Sequence, residues 1–311
     1  MVRKEDFYFD SREQGQKIHA VKWLPEIEKP HCILQIIHGM AEYIERYDEF
    51  ARFLAEKGIL VVGDDHLGHG KSVKEGGVYG YFCENDAPNV LVRDEHRLKK
   101  TIQEQYPGVK YLILGHSMGS FILRNYLLRY GTGVDGAIIV GTGMVPKAAI
   151  FAARIVIAVQ KLFCGSKHTS KLLDKLIFGG YNKGFKPSRT PADWISKNEA
   201  NVDKYIADPL CGFVFTVNGF ETLMKLIDNC CHNESFGNLP KDLPMMMISG
   251  SDDPVGSYGK GVEQAYNAYL QYGMTNVRTK LYESDRHEVL NEADRELVYG
   301  DIYRWILQRL E

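Results

Sequence analysis

The sequence predicts an α/β fold, a mostly parallel central sheet covered by helices with a helical lid inserted late in the chain. Short apolar runs recur without polar alternation, and loops and amphipathic stretches separate them. Runs of that kind are strands buried on both faces, which marks a parallel sheet covered by helices. The alternation lapses after Thr142-Gly143-Met144 and resumes only at Met245. A long strand-free interruption inside such a pattern reads as an insertion, not as more sheet.

In chain order, Asp6 to Phe9 and Lys17 to Leu24 alternate and read as an opening antiparallel hairpin. Strands are expected at Cys32 to Ile37, Ile59 to Gly63, Tyr111 to Leu114, Ala137 to Val140, Met245 to Ser249 and Val277 to Tyr282. Helices are expected at Arg46 to Lys57, Asn89 to Tyr106, Ser120 to Tyr130, Val262 to Tyr272 and Asp294 to Leu310. The last carries Leu297, Ile302, Trp305, Ile306 and Leu310 near helical spacing. Residues 1–144 and 236–311 are therefore assigned to the sheet domain, and 145–235 to an inserted helical cap.

Composition narrows the function. The chain has 311 residues, 44% of them apolar, enough for a sizeable core. Its net charge of −2 gives no electrostatic grip on nucleic acid and suits a neutral or locally apolar substrate. The six cysteines show no zinc-like spacing, and Cys230 and Cys231 are adjacent, which favours free thiols in a reducing compartment. Met1 to Asp6 is not followed by an apolar run, so no signal peptide is visible. The longest apolar stretch, Ala148 to Phe163, is broken by Arg154, Gln160 and Lys161 and is too short to span a bilayer. A cytoplasmic location is the expectation.

The chemistry centres on Gly115-His116-Ser117-Met118-Gly119, set between a strand run and a helix run. A serine at such a junction sits on a sharp turn that only small neighbours permit, with a helix N-terminus beneath it. A serine hydroxyl needs a base within hydrogen-bond reach and a group that orients the base. Open parallel sheets gather such groups at the carboxyl ends of strands. There the chain offers Gly250-Ser251-Asp252-Asp253-Pro254 and Glu283-Ser284-Asp285-Arg286-His287-Glu288. His287 is the candidate base. Asp253 is preferred to Asp252 as the acid, because Pro254 biases it to extended backbone while Asp252 can cap the turn. The N–H groups of Met118 and of Met40, in His38-Gly39-Met40-Ala41-Glu42, are the candidate oxyanion donors. Asp65-His66-Leu67-Gly68-His69-Gly70 could suggest a metal, but no carboxylate or thiolate set visibly completes it, so no metal or cofactor is expected.

These stretches, together with Glu45-Arg46-Tyr47 and Lys71-Ser72, resemble the serine hydrolases of the monoacylglycerol lipase and lysophospholipase group, serine aminopeptidase S33-like, within the α/β-hydrolase fold. The resemblance covers nearly all of the chain outside the lid. It implies Ser117 as nucleophile, His287 as base, Asp253 as orienting acid and the Met40 and Met118 amides as oxyanion hole, with no cofactor. The chain departs from the family at Ser120, where glycine is frequent, and the lid matches less securely.

The expected activity is hydrolysis of single-chain lipid esters, monoacylglycerol or lysophospholipid. The alternatives are a small-ester or aromatic esterase, an S33-type peptidase using an acid such as Glu199, Glu221 or Glu234, and a non-catalytic ligand-binding protein. Phe151, Ile155, Phe178 and Phe213 are the candidate substrate-binding residues. The run Ala148 to Ile157 is apolar nearly all round. It is expected to line an acyl tunnel and touch membrane or micelle with its outer side, the competing reading being packing on the sheet domain or in a homodimer.

Overall fold

A computed structural model describes residues 2–232 and 239–310. Eight strands form one sheet in the order β1-β2-β4-β3-β5-β6-β7-β8. These are β1 (Arg3–Asp10), β2 (Lys17–Leu24), β3 (Cys32–Ile37), β4 (Ile59–Asp64), β5 (Tyr111–His116), β6 (Gly136–Val140), β7 (Met245–Gly250) and β8 (Val277–Tyr282). The opening hairpin pairs antiparallel along its whole length, Arg3 with Leu24 through Asp10 with Lys17. β2 joins β4 antiparallel, and all later pairs are parallel.

The helices are α1 (Asp48–Ala55), α2 (Ala87–Gln105), α3 (Met118–Tyr130), α4 (Lys147–Cys164), α5 (Lys171–Phe178), α6 (Glu199–Ala207), α7 (Val217–His232), α8 (Lys260–Gln271) and α9 (Arg295–Leu310). The apolar strands β3 to β6 are wholly buried, because each face of the sheet is covered. One face packs on α2, α3, α7 and α8 through residues such as Leu98, Ile122, Phe220 and Ala265. The other packs on α1 and α9 through Trp23, Phe50, Ile302 and Trp305. Each large side chain removed from water in this way contributes about 1.5–3 kcal/mol.

Three expectations need correction. Residues Ile44–Tyr47 form a separate 3-10 turn before α1, and this turn aims Arg46 inward at Glu42 and Glu288. β8 exposes Arg278, Thr279, Lys280 and Leu281, because it is the sheet edge, where charged side chains block further pairing. In α9 the buried face runs through Val298, Ile302, Trp305 and Ile306, which turns Leu297 outward.

Between β6 and β7 the chain leaves the sheet and builds α4, α5, α6 and α7. α7 packs against α2 and α3 and so belongs to the cover of the sheet, while α4 lies on α7. The expected cap boundary at 235/236 and Glu234 fall outside the described residues. All six cysteines are free thiols. Among the described residues no helix is long and apolar enough to cross a membrane.

Candidate active site

Ser117 joins β5 to α3 with φ 53° and ψ −119°, a conformation that strains any residue with a side chain. Its neighbours explain why that turn can form. A Cβ on Gly115 would lie 2.3 Å from the Gly119 carbonyl oxygen, and one on Gly119 would lie 2.0 Å from the Ile37 oxygen. Both positions need glycine because backbone fills the space, not because of their dihedral angles. Ser117 N–H donates to Val140 O at 3.0 Å, which ties the turn to the end of β6.

The loop after β7 presents Asp253, fully buried. Its Oδ2 lies 3.0 Å from His287 Nδ1 and accepts the Ser249 hydroxyl at 2.9 Å, while Oδ1 accepts Val255 N–H at 2.8 Å. Burial alone would raise its pKa, yet His287 and these donors hold it below the usual aspartate value. Asp252 is not in this pair. Its side chain accepts from the Ser251 hydroxyl at 3.2 Å. The His287 ring lies against Gly141, the residue after Val140, so the imidazole and the serine turn meet at the end of β6.

The His38–Glu42 loop closes the third side. A Cβ on Gly39 would come within 3.1 Å of the Ser117 Cβ, so the loop runs directly beside the serine. Gly39 N–H donates to Glu42 Oε1 at 2.6 Å, and Ala41 N–H to His69 Nε2 at 3.3 Å. Met40 is held between these two anchors. Met118 begins α3, where first-turn N–H groups have no intrahelical acceptor. His69 donates from Nδ1 to Leu67 O, and its burial, with the His66 charge, lowers its pKa to about 3, so it serves as a neutral acceptor.

A buried ion network underlies these loops. Arg46 donates to Glu42 at 2.7 Å and to both oxygens of Glu288, next to His287, at 2.7 and 2.8 Å. Asn201 of α6 joins at Glu288 Oε2, 2.7 Å away. Despite its burial, Glu42 is held well below the usual carboxylate range by His116 and Arg46.

The roof is aromatic. Trp194 stands 5.2 Å from the His287 ring, with Tyr181 at 5.1 Å and Phe178 at 6.5 Å from the Trp194 ring. Glu292 accepts N–H bonds from Arg286, Lys197 and Asn198, and Glu288 N–H donates to Ile195 O at 2.7 Å. The segment bearing Trp194 is therefore built onto the loop bearing His287. Phe213 lies on the other flank, 5.2 Å from the His69 ring, and Gly212 N–H donates to Ala41 O at 2.9 Å. Phe151 and Ile155 lie apart from this cluster, 68% and 51% exposed on α4. The helix buries Ile150 and Ile157 instead, and these share the opposite stripe.

Trp194, Glu42 and Glu288 are site residues that sequence reasoning did not single out. The expectation that nothing completes a set around His66 also needs correction. Asp64 and Glu95, both buried, bring carboxylate oxygens within 4.8 Å of it, and His69 stays outside the group. Both His66 nitrogens face oxygens, Glu95 at 3.2 Å and His38 O at 3.2 Å. Burial is outweighed by Asp64 and Glu95, and the His66 pKa rises to about 10, while burial and Asp64 push Glu95 to about 8. The raised His66 pKa sets a positive charge beside the two carboxylates. An open cavity of about 670 Å³ lies beyond Arg46, between α6 and the Tyr43–Glu49 segment, and neither Ser117 nor His287 lines it.

This sheet order, with a strained serine turn after β5 and an Asp–His pair from the loops after β7 and β8, defines an α/β hydrolase. The pattern of the family described as serine aminopeptidase, S33 matches residues 28–294, and the chain belongs to that family. Monoglyceride lipase of Rattus norvegicus is 30% identical over 95% of this chain and 88% of its own. A monoglyceride lipase homolog of Monkeypox virus is 28% identical over 94% and 95%. A solved thermostable carboxyl esterase from Bacillus coagulans, in complex with glycerol, superposes with a TM-score of 0.91 at 30% identity, covering 100% of both chains. With such relatives along nearly its whole length, the chain is a carboxylic-ester hydrolase of the monoacylglycerol lipase-like group.

Proposed function

We propose that the enzyme hydrolyses single-chain lipid esters of the monoacylglycerol or lysophospholipid kind, with Ser117 as nucleophile. The observation that carries the reading is the buried His287–Asp253 bond beside the strained Ser117 turn, under an aromatic roof. Ser117 Oγ attacks the ester carbonyl as its proton passes to His287 Nε2. The oxyanion accepts from the Met40 and Met118 N–H groups, and Asp253 keeps the imidazole oriented. Collapse expels the alcohol with the proton from His287. Water, deprotonated by His287, then attacks the acyl-enzyme and releases the acid. No metal or cofactor enters any step.

Residues 145–235 act as the cap in this reading, with Trp194, Phe178 and Phe213 offering apolar surface to the acyl chain. The outer face of α4 and α5, bearing Phe151, Ile155, Leu162, Phe163 and Leu176, rests on a lipid surface. Burial of that face in a second copy is the competing reading. A peptidase is less well supported. Glu221 is paired with Lys161 and Lys225, and Glu199 is a solvent-exposed side chain. The free cysteines support a cytoplasmic site of action.

The test is a chain-length series of monoacylglycerols, lysophospholipids and p-nitrophenyl esters on wild type and Ser117→Ala. Turnover should fall by at least about 10³-fold in the variant, and a fluorophosphonate should label only the wild type. Undiminished turnover in Ser117→Ala removes the mechanism. A preference for acetyl or aromatic esters replaces the lipid substrate with a small ester.

A further inference from the structure

His116 precedes Ser117 and is buried at the carboxyl end of β5. Its Nε2 lies 3.2 Å from the His287 carbonyl oxygen, which can only accept. Its Nδ1 lies 2.9 Å from the Tyr47 hydroxyl and 3.3 Å from Glu42 Oε1. The Tyr47 proton is already committed to Glu42 Oε1, 2.8 Å away, because two bare oxygens would repel at that separation. Nδ1 therefore faces acceptors as well. An imidazole with acceptors at both nitrogens carries two protons and is a cation. Burial by itself lowers its pKa, but the Glu42 bond and charge, the Glu288 charge and the His287 carbonyl leave it raised.

The ring that this cation faces is the base. The His116 and His287 centroids are 4.8 Å apart. Around the two rings stand Asp253 from the β7 loop, Tyr47 and Arg46 from the turn before α1, and Glu288 beside the base. From the cap come Tyr181, which senses the Asp253 charge, and Lys197, paired with Asp285 of the base loop. Arg46 bridges Glu288 and Glu42, Lys197 pairs with Asp285, and Glu42 also takes the Nδ1 side of His116.

We infer that Glu42 and His116 form a standing buried ion pair, and that this pair positions the loop that carries His287 and the loop that carries Met40. The inference rests on the reading of Ser117 and His287 as nucleophile and base. His116 touches no reacting atom and is a positioning residue. It anchors the His287 carbonyl, while its partner Glu42 anchors the Gly39 N–H of the oxyanion loop.

The deciding pair of variants is His116→Gln, which retains an N–H donor for the His287 carbonyl, and His116→Leu, which has none. On a short soluble ester kcat should fall at least about tenfold further in His116→Leu than in His116→Gln, with KM little changed. Equal kcat in the two variants overturns the inference and leaves the triad intact. Equal turnover by Ser117→Ala removes the triad reading and the inference with it. Imidazole ¹⁵N–¹H spectra of the wild-type protein decide the charge independently of whether the variant folds. Two ring N–H groups on His116 at pH 8 support the pair, and one N–H overturns it.

Discussion

The strand-end loops and the cap treat side chains in opposite ways. Beneath the cap, Glu42, Arg46, His116, Asp253, His287 and Glu288 are polar and withdrawn from water, each with a partner. On the outer face of α4 and α5, Phe151, Ile155, Leu162, Phe163 and Leu176 are apolar and turned toward it. Buried charge is tolerated only when it is paired and hydrogen-bonded, and the pairing then fixes geometry to within a hydrogen-bond length. Exposed apolar surface fixes nothing by itself but is stabilised by whatever covers it. The first region is built to hold atoms still, and the second leaves apolar side chains in water.

The largest effect should come from breaking the polar side at its centre. Asp253→Asn retains the shape but offers an N–H where His287 Nδ1 must donate, which favours the wrong tautomer. kcat should fall by about 10³–10⁴-fold, with KM and urea midpoint little changed. A loss below tenfold would mean that Asp253 does not orient the base. Arg46→Met should act on stability instead. It leaves Glu42 and Glu288 buried without their shared cation, at a cost of about 3–5 kcal/mol in urea unfolding. Adding Glu288→Gln to Arg46→Met should recover part of that loss, whereas additive losses would show that the two side chains do not act as a pair.

The same contrast explains what was legible in the sequence. Strand runs such as Cys32 to Ile37 and Tyr111 to Leu114 could be read because burial on both faces leaves no polar alternation. The placing of Ser117, Asp253 and His287 in loops after their own strands could be read as well, and Asp253, before Pro254, is the one bonded to His287. The ion network could not be read. Arg46 and Glu288 lie 242 positions apart, and nothing local to either announces the other. Glu95 reaching His66 is the same kind of event, an i-to-j contact made only when α2 packs on the sheet. Trp194 was hidden for another reason: it sits in a 3-10 turn, Asp193–Ile195, held by base-loop hydrogen bonds and not by a periodic pattern. α4 was legible as an apolar helix, but a helix apolar nearly all round does not reveal which stripe turns inward. Ile150 and Ile157 took that role, and Phe151 and Ile155 did not.

The smallest expected effect lies on that outer face, and it separates binding from chemistry. Exposed Lys147, Lys167, Lys171 and Lys175 flank the apolar side chains, the pattern of a surface that meets anionic lipid. Phe151→Ser with Ile155→Ser removes two side chains that are already in water, so urea stability and turnover of a short soluble ester should stay within about twofold of wild type. Binding to vesicles of mixed zwitterionic and anionic lipid should weaken by about 30- to 1000-fold, since each of the two apolar side chains that enter the interface contributes on the order of 1–2 kcal/mol. Turnover of a vesicle-borne monoacylglycerol should fall with the binding. Unchanged vesicle binding would detach the face from lipid, and a wild-type dimer that the double variant dissolves would assign it to a second copy. Either result would leave Asp253, His287 and Ser117 where they are, because α4 packs on α7 and α5 and its ion pairs run to α7, Arg154 to Asp228 and Lys161 to Glu221.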